Sequence, residues 1–69
     1  MPVQLRSSTL ATAEYDAAST QLTLAFHDGS RYRYSGVPGH LFLNLLGAPS
    51  QGRFFNQQIR AKFTCERLL

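Results

Sequence analysis

The side chains best able to do chemistry in this sequence are its arginines. Six of the seven cations are Arg, whose planar fork meets phosphate or carboxylate oxygens in bidentate fashion. Arg31 and Arg33 stand two residues apart, so in a strand both heads lie on one side. Arg53, Arg60, Lys62 and Arg67 follow and could extend them into one patch. Phosphate contacts from such a patch give salt-sensitive binding that is largely independent of sequence. The plainer reading is a solvated sheet face. Ser50-Gln51-Gly52-Arg53 is a second candidate. A helix starting there presents unpaired N–H groups and the positive end of its dipole, Gly52 lets a ligand approach the backbone, and Arg53 adds charge. The plainer reading is a Ser cap with Arg53 in solvent.

Other chemistries find little material. Cys65, His27 and His40 are the only thiol or imidazole groups, and none forms a ligand pair at zinc-site spacing, so no metal is expected. No Gly-x-Ser-x-Gly elbow occurs. The four carboxylates are spread through turns and strand exteriors and do not form a tuned pair. Cys65 beside Phe63 reads as a small core residue, His27 as a solvated turn residue, and His40 as partly exposed in the first turn of a helix. Neither catalysis nor a cofactor is expected.

Charge is unevenly placed. Residues 1–30 carry Arg6 against Glu14, Asp16 and Asp28, a net of −2. Residues 31–69 carry six cations against Glu66, a net of +5. A basic half points to a polyanionic partner, although an ordinary basic protein has the same profile. The 69 residues suffice for one domain near the lower limit of unaided folding. Five Phe and three Tyr are the expected source of its stability. A single cysteine rules out an intrachain disulfide, and no apolar run suits a signal peptide or a membrane span. A cytoplasmic setting is the natural expectation.

The basic residues must be positioned by three strands and two helices. Residues 1–8 are polar and are expected to be loose. Ala11, Ala13 and Tyr15 alternate with Thr12, Glu14 and Asp16, and Leu22, Leu24 and Phe26 alternate with Gln21, Thr23 and Ala25. A third strand carries Tyr32 and Tyr34. A two-residue Asp28-Gly29 turn would place Arg31 and Arg33 on the apolar face. A three-residue His27-Asp28-Gly29 loop, with Gly29 left-handed, places Leu24 opposite Tyr32 and Leu22 opposite Tyr34. Burying two unpaired arginines costs more than any turn preference, so the second register is expected.

Pro38 suits a helix start, and Leu41, Leu45 and Phe42 share a face before Gly47 closes that helix. Ser50 caps a second helix, reaching about Arg60, with Phe55 and Ile59 as its buried stripe and Phe54 beside it. Residues 61–68 alternate again, with Phe63 and Cys65 on one side, and allow a short C-terminal strand. The expected class is α+β: a three-stranded antiparallel meander followed by two helices packed on one face.

In order along the chain, this series resembles the KTSC domain family. The matching residues are Ser7-Ser8, Tyr15-Asp16, Leu22-x-Leu24-x-Phe26-x-x-Gly29, Tyr32-x-Tyr34 with Val37-Pro38, Ala48-x-Ser50-x-Gly52, and Phe54-Phe55-Asn56 with Ile59-Arg60. The resemblance spans about residues 7–68. It implies a domain found at the C-terminus of some lysyl-tRNA synthetases and alone as a small bacterial protein. RNA binding is suggested for such domains by that association, and no catalytic residues are implied.

The first functional expectation is therefore a nucleic-acid-binding module, with RNA or tRNA as partner, acting through Arg31, Arg33, Ser50, Gly52, Arg53, Arg60 and Lys62. Sheets that read single-stranded RNA usually expose stacking aromatics. Inward tyrosines argue against that mode, leaving Phe54 or Phe55 if either is exposed. The alternative is a protein-interaction or self-associating module using a sheet edge and the apolar Leu43 and Leu46.

Overall fold

Leu22 and Leu24 carry the alternation that builds the centre of the molecule, and both are completely buried. They lie on the middle strand of a five-stranded antiparallel sheet in a computed structural model that describes residues 2–69. The strands are β1 (Val3–Gln4), β2 (Leu10–Asp16), β3 (Gln21–Phe26), β4 (Arg31–Ser35) and β5 (Thr64–Arg67), in that spatial order. Between β4 and β5 come α1 (Gly39–Gly47) and α2 (Gln51–Gln58).

The class is α+β, as expected, but four strands precede the helices instead of three. The additional strand is β1, where Val3 pairs with Ala13 and Gln4 with Thr12. The segment expected to be loose is thus held by backbone pairing and by burial of Leu5, whose N–H donates to the Ala11 carbonyl at 2.9 Å. Met1 lies outside the described residues.

The β3–β4 hairpin has the three-residue loop. Leu24 faces Tyr32 and Leu22 faces Tyr34. The Phe26 N–H donates to the Ser30 carbonyl at 2.9 Å, and Gly29 sits at φ +92°, which only glycine adopts readily. Tyr34 is 4% exposed and Tyr32 half-buried, while Arg31 and Arg33 stand on the opposite face. In β2 a register shift between Leu10 and Thr12 lets both Leu10 and Ala13 reach the core. Ala11, expected to share the face of Ala13 and Tyr15, is the extra residue of this bulge.

The helices cover one face only. Phe42 of α1 stacks on Tyr15, with ring centroids 5.1 Å apart, and the Tyr15 hydroxyl donates to the Val37 carbonyl at 2.7 Å. Phe55 of α2 sets its ring against Tyr34 at 5.6 Å and Phe26 at 5.5 Å. Leu45 and Ile59 complete the core. Pro38 is the residue before α1, one position earlier than expected, and Ser50 caps α2 by accepting from the Arg53 N–H at 3.3 Å. Cys65 pairs with Tyr34 on the helix side of the sheet but is exposed, not core, because α2 ends at Gln58 and leaves β5 uncovered. No helix among the described residues is long and apolar enough to cross a membrane.

Truncating Leu24 to Ala removes a fully buried side chain at a cost of about 2–5 kcal/mol. A core of this size supplies only about 3–5 kcal/mol. Leu24→Ala is therefore expected to be largely unfolded at 25 °C in urea titrations, whereas Leu43→Ala, at a position 66% exposed, should shift stability by no more than about 0.5 kcal/mol. Equal midpoints for the two variants would contradict this picture of the core.

Candidate functional site

The basic residues singled out above fall on two sides of the sheet. Arg31 and Arg33 occupy the open face, away from the helices. Arg33 Nη2 meets Glu66 Oε1 at 2.7 Å across the β4–β5 pair. Glu14 lines the shallow depressions beside both Arg31 and Arg33. This face is charge-balanced.

Ser50, Gly52, Arg53 and Arg60 lie in the helix layer. Lys62 stands exposed in the turn after α2, its N–H donating to the Ile59 carbonyl at 3.1 Å. β4 alternation puts Arg31 and Arg33 on the open face, whereas Ser50, Gly52 and Arg53 line the groove at α2 and Arg60 lines a hollow on the helix side.

The start of α2 acquires partners that the sequence pattern did not reveal. Residues Arg6 to Thr9 run beside it and make an open groove of about 560 Å³ with Ser50, Gly52 and Arg53. Gln51 builds this junction and is 4% exposed. Its Oε1 accepts from the Arg6 N–H at 2.6 Å, and its Nε2 donates to the Leu46 carbonyl at 3.2 Å. Ser7 Oγ accepts from the N–H groups of Thr9 and Leu10 at 3.0 and 3.1 Å, curling the segment toward the helix. The Ser7 carbonyl in turn meets His27 Nε2 at 2.9 Å, so this exposed histidine is tied to the same segment. A Cβ added at Gly52 would lie 3.5 Å from Ser7 Oγ, an ordinary contact. Glycine here widens the groove without being sterically required.

Two arginines, Arg6 and Arg53, are among the residues lining the groove, and no carboxylate lines it among the described residues. Hydroxyls of Ser7, Ser8, Thr9 and Ser50 supply further polar groups. Such a surface attracts an oxyanion and offers no acid to repel it. The only earlier signals for its unexpected half were Arg6 as an isolated cation and the Ser7-Ser8 pair.

At the other end of α2, Arg60 Nη1 reaches Asn56 Oδ1 at 3.5 Å. Phe55 is buried and Phe54 half-buried, so neither projects freely into solvent. Asp28 accepts from the Ser30 hydroxyl at 2.6 Å and its N–H at 2.9 Å, and these bonds hold its carboxyl below the usual range. Burial of the Tyr34 phenol pushes its pKa up to about 12.

An antiparallel meander with two helices on one face, and a cationic groove at the second helix, defines a small α+β domain with an open polar site. The chain belongs to the KTSC domain family, whose profile matches residues 6–63. It is 41% identical over 59 residues to a protein of Tsukamurella paurometabola, covering 86% of this chain and 88% of that one. It is 38% identical over 61 residues to a lysine–tRNA ligase of Nostoc punctiforme, covering 88% of this chain but 11% of the ligase. The crystal structure of a KTSC domain protein from Yersinia pestis superposes with a TM-score of 0.95 at 32% identity, covering 100% of this chain and 97% of that one.

The raised Tyr34 pKa has a definite sign. Between pH 10 and 12 the unfolded chain releases this proton while the folded one keeps it. The stability tied to the neutral phenol is therefore complete below pH 10 and is lost as pH climbs toward 12. Ring-carbon NMR should show Tyr34 titrating near 12, and Tyr34→Phe should flatten this part of the stability profile. A Tyr34 titration near its ordinary value of 10.0 would show the phenol to be solvated.

Proposed function

We propose that this domain binds single-stranded RNA, its phosphates lying in the groove between Arg6 and Arg53. The observation that carries the reading is a groove lined by Arg6 and Arg53, by Ser7, Ser8, Thr9 and Ser50 at the start of α2, and by no carboxylate among the described residues. The similarity to a segment of lysine–tRNA ligases supports RNA as the polyanion and makes the loops and ends of tRNA the natural source of unpaired strand. The role is binding and not catalysis. Arg31 and Arg33, set among Glu14 and Glu66 on the charge-balanced face, take no part in this contact. Association through a sheet edge has less support. The β5 edge is four residues long and carries Glu66 and Arg67, features that blunt pairing, and the exposed Val3, Leu43, Leu68 and Leu69 are dispersed over β1, α1 and the C-terminus.

Fluorescence anisotropy with an unstructured RNA of about ten nucleotides tests the reading directly. Two phosphate contacts give a slope of log K against log salt of about −1.4, since each contributes roughly −0.7 on a single strand. Arg6→Ala with Arg53→Ala should bring the slope close to zero and weaken binding to all sequences alike. Arg31→Ala with Arg33→Ala should change affinity far less. Absence of binding at low salt, or full affinity in the Arg6/Arg53 double variant, would rule the groove out.

A further inference from the structure

The groove beside α2 does not end at its arginines. Thr9 and Asn56 also line a second hollow of about 480 Å³ between the end of α2 and the β3–β4 hairpin. The chemistry changes there. Phe26, Tyr32, Tyr34 and Phe55 line it together with polar residues that include Asp28, Ser30 and Arg60.

The four rings form a herringbone. Phe26 meets Tyr32 at 84° and Phe55 at 71°, and Phe55 meets Tyr34 at 78°. Tyr34 and Phe55 are each 4% exposed and belong to the core, whereas Phe26 and Tyr32 at the other end are half-buried. Tyr32 already accepts a planar neighbour: the Arg67 guanidinium carbon lies 5.6 Å from its ring centroid, and Arg67 Nη1 donates to its hydroxyl at 3.2 Å. This is a cation–π contact with an exposed side chain, which a stacking base would displace.

Charge separates the roles of the two spaces. Phosphate is drawn to the first, between two guanidiniums with no acid. In the second, Arg60 is offset by the Asp28 carboxylate, whose Ser30 hydrogen bonds favour the ionised form. An uncharged π-surface bearing edge donors and acceptors suits the second: rings for its face, Arg60 and Asp28 for its edges.

We infer that this hollow is a base subsite, taking one unpaired nucleobase from the strand whose phosphates lie between Arg6 and Arg53, with Phe26 and Tyr32 as stacking surface and Arg60 at the base edge. The inference rests on the RNA reading above and deepens it. Thr9 and Asn56, at the junction, would flank the ribose. Inward tyrosines thus do not forbid stacking. The sheet's helix-covered face is left open beside β5, and a base can enter there from the side.

The test compares an unstructured single-stranded RNA with an abasic ribose-phosphate strand of equal length, using the full chain. The RNA should bind about fivefold or more tightly than the abasic strand, with the same salt slope for both. Ring protons of Phe26 and Tyr32 should shift only with the RNA. Tyr32→Ala and Arg60→Gln should narrow the affinity gap while leaving the slope unchanged. Arg60 is exposed, so its variant keeps the test sound if Tyr32→Ala fails to fold. Equal affinity for both strands with an intact slope would overturn the base subsite and leave the phosphate groove standing. No binding of either strand would overturn both.

Discussion

The three-residue loop at His27–Gly29 decides which side of the sheet every residue of β4 occupies. With a two-residue Asp28-Gly29 turn instead, Arg31 would face Phe26 and Arg33 would face Leu24. A buried guanidinium without a partner costs several kcal/mol, as much as the whole core of so small a domain supplies. The magnitudes leave one register, and it requires Gly29 at φ +92°. From that choice follow the packing of Tyr34 against Phe55, hence the seat of α2, and the Arg33–Glu66 ion pair on the far face. The location of α2 then fixes where a groove can exist.

The groove depends further on one buried amide. Gln51 joins the Arg6 backbone to the end of α1 through hydrogen bonds at both ends of its side chain. A buried polar group is favourable only when satisfied, so this glutamine holds the Arg6–Thr9 segment against α2 while stabilising the fold. Strand β1, the Ser7 turn and Gln51 thus act together to bring Arg6 and Arg53 to one groove. Fold and candidate site share the same hydrogen bonds.

Much of this was legible in the residue pattern, and the gaps have physical causes. Period-2 alternation disclosed β3 and β4, and the cost of buried charge selected their register. Ser50 announced its helix because capping is local chemistry. Strand β1 escaped notice because two residues show no period and gain their order from pairing with β2. Gln51 reads as a surface residue, and its burial comes from a backbone partner 45 positions away. Cys65 followed the alternation into the inner face, yet the length of α2 left it uncovered. Ser50, Gly52 and Arg53 were recognisable as a candidate anion site, whereas Arg6 to Thr9 were not, since only the tertiary fold brings them together.

The fold thus sorts its charges. The open sheet face pairs arginine with glutamate, while the α2 groove keeps arginine without acid and shares Thr9 and Asn56 with a hollow lined by aromatic residues. A surface divided in this way fits a strand that carries phosphate along one side and flat bases along the other. The most direct measurement is backbone amide NMR mapping during titration with a tRNA-like RNA at two salt concentrations. The account predicts shifts centred on residues 6–9 and 50–57 that shrink as salt rises. Shifts confined to Arg31, Arg33 and Glu66, or none at low salt, would contradict it.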